Sequence, residues 1–301
     1  MSCKAYWLHL RPRSWPIVFA HYFCGALLIL PHVPRDLVWP AVVRTLVGGL
    51  IWTVCLNGAT LALNSAFDRD EGDIGYLDNP PPPPAYLAAF SLVLLGCGLL
   101  ASYFFQSRPF VWLMGFCVML SLAYSVPPVR LKALGGADLV INMLGYGAAT
   151  IAAGALATDL LSLLDPVWQT RVVLVAAGFG FLFGAFYPMT QIYQIPEDSA
   201  RGDRTLAIML GPRGSLRFAL ALEFMALACH LAGLVWGAPN LTRLLLASAL
   251  VLVSGIAWIL FTAEWLRQIP SYPAKRGMYR ALWLWALSDV ATVLAYGFVL
   301  A

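Results

Sequence analysis

Nine stretches of roughly twenty mostly apolar residues run through this 301-residue chain, and they constrain its fold more than any other feature. About 20 apolar residues are what an α-helix needs to cross a hydrocarbon layer ~30 Å thick. The stretches cover approximately 15–31, 41–65, 85–105, 109–126, 136–158, 170–192, 215–236, 241–263 and 281–300. Breaker residues separate them: Pro31 to Pro40, the run Pro80 to Pro84, Pro127-Pro128, Pro166, Pro239 and Pro270 to Pro273. Composition closes the soluble alternative. The chain is 60% hydrophobic and 11% charged, whereas soluble domains carry about 25% charged residues. Disorder and coiled coil fail on the same figures. The expected fold is all-α: a polytopic membrane bundle of nine transmembrane helices, with residues 1–301 forming one integral-membrane domain.

Basic residues orient the bundle. Of the 19 lysines and arginines, 14 fall at the N-terminus or in the connections after spans 2, 4, 6 and 8. Five (Arg35, Arg44, Arg108, Arg171 and Arg243) fall on the other side. The positive-inside rule then makes the N-terminus cytoplasmic and the C-terminus external. A net charge of +4 without a basic run gives no argument for nucleic acid. The six cysteines are scattered without metal spacing and read as small hydrophobes. Lys4, Arg11 and Arg13 precede an apolar stretch with no small-residue cleavage site, so that stretch is expected to stay as the first span.

Acidic residues depart from an even spread. Eight of the 15 sit in two connections on the cytoplasmic side. Asp68, Asp70, Glu71, Asp73 and Asp78 follow span 2; Glu197, Asp198 and Asp203 follow span 6. Four spans separate equivalent points, which suggests two four-helix halves plus one helix, the halves being roughly 15–126 and 136–263. In LNSAFDRDEGD, Asn64 and Asp68 are spaced i, i+4 and share a helix face. Carboxylates crowded this closely repel unless a hard cation lies between them, and oxygen ligands suit Mg²⁺. In QIYQIPEDSARGDRTL, Gln191 and Gln194 lie one turn apart with Asp198 a step further, and Pro196 is expected to break the helix. Arg69, Arg130, Lys132, Arg201 and Arg204 are interspersed. Carboxylates with cations around one cleft describe a site for a metal-bridged polyanion such as a diphosphate. Taken alone, the first cluster also reads as a solvated acidic loop.

These residues resemble the UbiA superfamily of intramembrane prenyltransferases. Asn64, Asp68 and Arg69 match its first motif, Asn-Asp-x-x-Asp-x-x-x-Asp. YSVPPVRLK, Tyr124 to Lys132, matches the family's Tyr-Ser-x-Pro-Pro-x-Arg-x-Lys segment after the fourth helix. The stretch from Gln194 through Asp198 to Gly202, Thr205 and Leu206 approximates its second acidic motif. RPRSWP, Arg11 to Pro16, is similar to the family's lead into helix 1. The departures are Ser65, Gly72 and Gln194, each standing where the family carries Asp. Asp68 and Asp198 therefore carry over directly as metal ligands, while Asp70, Asp73 and Asp203 are candidates by proximity, with Glu71 behind them.

The resemblance implies Mg²⁺-dependent ionisation of an isoprenyl diphosphate and attack on the allylic cation by a hydrophobic acceptor, an aromatic ring or lipid alcohol. It implies a catalytic group of Asp68, Asp198, Asn64 and Tyr124. Arg69, Lys132, Arg130, Gln191 and Gln194 would bind the diphosphate, in contact with membrane lipid. Two rivals are a terpene cyclase of the same superfamily and a transporter of a cation or anionic lipid. Transporters place charge near the bilayer midplane, whereas these acids gather at one face. His21, His32 and His230 have no second ligand at helical spacing, and Asp289 and Glu223 lie within apolar spans, where they are expected to face the bundle interior or to be protonated. Trp7, Trp39 and Trp168 suit an interfacial belt. The Gly/Ala-rich run Gly145 to Ala157 either permits close helix packing or leaves room for an isoprenoid tail.

Overall fold

The computed structural model describes residues 3–68, 74–200, 202–236 and 240–299. Among them, nine helical segments are long and apolar enough to cross a membrane. They are α1 (Cys3–His32), α2 (Arg35–Asp68), α3 (Leu87–Phe105), α4 (Arg108–Ser125), α5 (Ala137–Ala157), α6 (Pro166–Ile192), α7 (Leu206–Val235), α8 (Leu241–Arg267) and α9 (Ala274–Val299). The described residues contain no strand, only isolated bridges between Ile74 and Leu77 and between Leu134 and Arg204. The chain is an all-α integral membrane protein, as expected.

Four span starts differ most from the sequence reading. α1 opens early because a short helix, Cys3–His9, precedes the apolar run. α7 begins at Leu206 rather than near 215, because the helix continues through a kink where Gly211 adopts φ 65° before Pro212. α9 begins at Ala274 rather than 281: Lys275, Arg276 and Arg280 belong to its first turns, where long basic side chains can reach the interface. α2 also starts before the last proline of the expected break, with Pro40 inside the helix.

Lipid cannot drive helices together as water does, so packing depends on close backbone approach. α1 and α5 meet through reciprocal glycines. A Cβ on Gly25 would strike the Ile151 carbonyl, and one on Gly154 would strike the Tyr22 carbonyl. Gly147 likewise brings α5 onto α6, with the Phe179 carbonyl 2.6 Å from where its Cβ would stand. Gly145 differs: a Cβ there meets nothing within 4 Å. The Gly/Ala run thus splits into packing positions and one open position. α9 closes the bundle against α1 and α6.

Candidate active site

One cavity of about 320 Å³ opens among the ends of α2, α4, α6 and α9, with Asp68, Lys132, Asp198 and Asp203 at its polar end. Asp68 is the last residue of α2. A helix C-terminus already carries negative partial charge, so a carboxylate there needs compensation. Lys132 Nζ donates to Asp68 Oδ1 and also to Asn64 Oδ1 at 3.3 Å. Arg130 Nη2 lies 3.6 Å from the same Asp68 oxygen, while its Nη1 donates to Asp203 Oδ1 at 3.1 Å. One guanidinium therefore joins the end of the described α2 to the connection between α6 and α7. The Asp68 and Asp203 side chains are only 5% and 7% exposed, so the contact is shielded from water.

Local backbone chemistry brings these loops together. Arg130 holds φ 34°, ψ 56°, a left-handed conformation uncommon outside glycine. Gly135 lies 2.7 Å, measured from where a Cβ would stand, from the Arg204 carbonyl, and Leu134 bridges Arg204. A side chain at 135 would push the two loops apart. The helix break after α6 comes at Tyr193–Gln194, earlier than expected; Pro196 instead stands in the first turn of a short helix, Ile195–Ala200. Proline is tolerated there because the missing N–H has no helical partner. Gly202, at φ 77°, turns the chain beyond that helix, and Asp203 N–H donates to the Asp198 carbonyl at 3.0 Å.

Asn64, Tyr124, Gln191, Gln194 and Asp198 also line the cavity. Arg69, Asp70, Glu71, Asp73 and Arg201 lie outside the described residues. Gln191 is engaged on both sides: its Nε2 donates to Asp138 Oδ2 at 2.9 Å, and its Oε1 accepts from Ala207 N at 3.3 Å.

Several residues in or beside the cavity take roles that sequence reasoning did not assign. Arg11, 7% exposed, donates through Nη2 to the Ser65 hydroxyl at 3.1 Å. Ser65 is one of the positions where the family pattern carries Asp, so a cation faces the lost acid. Asp138 is fully buried and accepts from the N–H groups of Gly136 and Leu139, both at 2.8 Å, besides Gln191. The Tyr187 hydroxyl also reaches Asp138, and Tyr124 and Tyr187 share a hydrogen bond of 2.9 Å. Because a carboxylate held by such donors only accepts, Tyr187 donates to it and Tyr124 donates to Tyr187. The Tyr124 oxygen lines the cavity and is also reached by the Asn142 side chain. Tyr76, in the connection after α2, lines the mouth at φ 68°; burial, with Tyr146 and Tyr279 nearby, pushes its phenol well up, against the opposing pull of Arg11.

At the other end, His21 Nδ1 meets Asp289 Oδ1 at 2.7 Å, and His21 Nε2 meets the Gly147 carbonyl at 3.2 Å. The histidine that helical spacing leaves alone has its partner 268 residues away. Both Asp289 and Glu223 face the interior, where Thr262 donates to Glu223 at 2.5 Å.

The donor set suits a hard divalent cation: carboxylates at Asp68, Asp198 and Asp203 with the Asn64 amide oxygen, all on one cavity. Among the described residues no three acidic, histidine or cysteine side chains form a ready metal cluster. Asp68 instead carries Lys132 and Arg130.

Comparison with known proteins places the chain. It is 27% identical over 249 residues to the bacteriochlorophyll synthase 33 kDa chain of Cereibacter sphaeroides, covering 76% of this chain and 74% of that one. A UbiA homolog from Archaeoglobus fulgidus, solved bound to DMAPP and Mg²⁺, superposes with a TM-score of 0.70 at 17% identity, over 97% of this chain and 99% of that one. The apo UbiA homolog from Aeropyrum pernix gives 0.61 at 18% identity, over 93% and 97%. The profile of the UbiA prenyltransferase family matches residues 18–287, and the chain belongs to that family.

Proposed function

We propose that this intramembrane prenyltransferase ionises an isoprenyl diphosphate at the polar end of its cavity and passes the allylic cation to a hydrophobic acceptor, an aromatic ring or a lipid alcohol. One observation carries the reading. Asp68 of α2 and Asp203 of the connection between α6 and α7 are joined by Arg130 beside Lys132 at the mouth of an otherwise largely apolar cavity. Such a cavity holds a diphosphate in its mouth and an isoprenoid tail below.

Asp68, Asp198 and Asp203, with Asn64, would hold Mg²⁺; Asp70 and Asp73 are proposed on the sequence alone. Bound Mg²⁺ supplies Lewis-acid stabilisation of charge on the departing diphosphate. Arg130, Lys132 and Arg11 donate to diphosphate oxygens as negative charge gathers there, and Arg69 is proposed in the same role on the sequence alone. Gln194 completes the diphosphate wall, while Gln191 holds Asp138. Tyr124 presents oxygen lone pairs to the developing cation, since its proton is committed to Tyr187. The buried cavity keeps bulk water from the cation. The positive-inside count supports a cytoplasmic mouth.

Purified protein incubated with isoprenyl diphosphates and Mg²⁺, with and without membrane lipid extract, tests the reading. Prenylated product that requires the extract is expected. Product formed equally without extract is cyclisation, and absence of any diphosphate release would overturn the proposal.

A further inference from the structure

The end of the cavity away from Asp68 is floored by large side chains. On five helices the residue deepest in its wall is His21 on α1, Trp52 on α2, Thr150 on α5, Phe183 on α6 and Trp285 on α9. They form two contacting groups, His21 with Trp285 and Phe183, and Trp52 with Thr150. The His21 ring stands 4.7 Å from Trp285, Trp285 stands 5.6 Å from Phe183, and Trp52 Nε1 donates to Thr150 Oγ1 at 3.3 Å. Both His21 nitrogens are engaged, by Asp289 and by the Gly147 carbonyl. A ring held at both ends cannot swing aside as a free side chain could. Beneath it, Phe179 and Ile151 are fully buried.

We infer that this floor sets the length of isoprenoid tail the protein takes, at three to four isoprene units. The inference rests on the proposed binding of an isoprenyl diphosphate at the cavity mouth. Asp68 and Trp52 lie on the same span, 16 residues apart, which is about 20–24 Å at ~1.5 Å per residue, slightly less through the wider π turns. Three backbone bonds of an extended chain advance about 3.6 Å, so the four backbone bonds of one isoprene unit advance about 5 Å. The C–O–P–O–P link of the diphosphate also has four bonds and occupies one such step. Three to four remain for the tail before it meets the tryptophans.

Gly145 gives a direct handle on that length. It lines the cavity between Asn142 and Thr150, and a Cβ there meets nothing within 4 Å. Gly145→Phe therefore starts from a Cβ that meets no neighbour and projects its ring from the cavity wall.

The test measures binding of geranyl, farnesyl, geranylgeranyl and solanesyl thiolodiphosphates, which do not ionise, to purified wild-type protein and to Gly145→Phe with Mg²⁺ present. In the wild type, affinity should rise to three or four units and fall about tenfold or more at nine, the scale on which a shaped pocket rejects excess length. In Gly145→Phe the four-unit ligand should lose about tenfold while the two-unit ligand stays within about threefold. Solanesyl binding as tight as geranylgeranyl would overturn the inference, as would a Gly145→Phe effect equal at every length. Both results leave the diphosphate site standing. Failure of every length to bind the wild type would remove that site and the floor with it.

Discussion

Lys132→Met should change the two ligands of the site in opposite directions. Lys132 is 9% exposed, and its ammonium holds a carboxylate oxygen of Asp68 and the amide oxygen of Asn64. Methionine keeps the length and apolar stem but removes the charge. A hydrogen bond to a charged group contributes about 1.5–3 kcal/mol. Breaking a buried pair outright costs about 3–5 kcal/mol, but Arg130 stays 3.6 Å from the same oxygen, so the lower range applies. At 1.4 kcal/mol per tenfold, isoprenyl diphosphate measured at saturating Mg²⁺ should bind about 10–150-fold more weakly. Mg²⁺ titrated without diphosphate should bind more tightly than to the wild type, because Asp68 no longer carries the ammonium. Calorimetric titration of each ligand reads both signs, and thermal unfolding confirms that the variant is folded. If Mg²⁺ binding weakens together with diphosphate binding, Lys132 does not compete for Asp68 and the electrostatic argument is wrong.

Other changes should separate equally well. Tyr187→Phe cuts the link from Tyr124 to Asp138; transfer kcat should fall about 10²-fold, the low end of the range for a positioned proton-handling group. KM for the isoprenyl diphosphate should barely move, and a raised KM with unchanged kcat would contradict the assigned hydrogen-bond direction. Gly154→Ala forces a methyl into the Tyr22 carbonyl and should cost about 1–3 kcal/mol or more, read as a lowered unfolding midpoint in detergent. An unchanged midpoint would mean α1 and α5 part easily. Asp78, 57% exposed and 3.3 Å from Lys275, should tolerate Asn within about 0.5 kcal/mol and with full activity; a large loss would move it into the site.

Much of this molecule can be read before any coordinates, and the reason lies in which residues act locally. Each span declares itself through twenty apolar residues, and Asn64 with Asp68 through a four-residue spacing on one helix. The boundaries slipped where a breaker did not break: Gly211-Pro212 kinks α7 without ending it. Lys132 and Arg130 were legible as cations near acids, but their division of labour was not. That one guanidinium reaches both Asp68 and Asp203 depends on a left-handed turn at Arg130 and a missing side chain at Gly135. Asp138 with Tyr187, and His21 with Asp289, left no periodic trace, because partners 49 and 268 residues apart meet only when the helices pack. Arg11 was visible within RPRSWP, yet only folding sets it against Ser65.

The central claim is that acids from α2 and from the connection after α6 act as one ionisation site. Diphosphate release from geranylgeranyl diphosphate, measured at millimolar Mg²⁺, tests it most directly in Asp68→Asn and Asp198→Asn, which keep side-chain size but remove the charge a metal needs. Each single change should nearly abolish release, and raising Mg²⁺ should not restore it. Full Mg²⁺-dependent release by either variant would contradict the account.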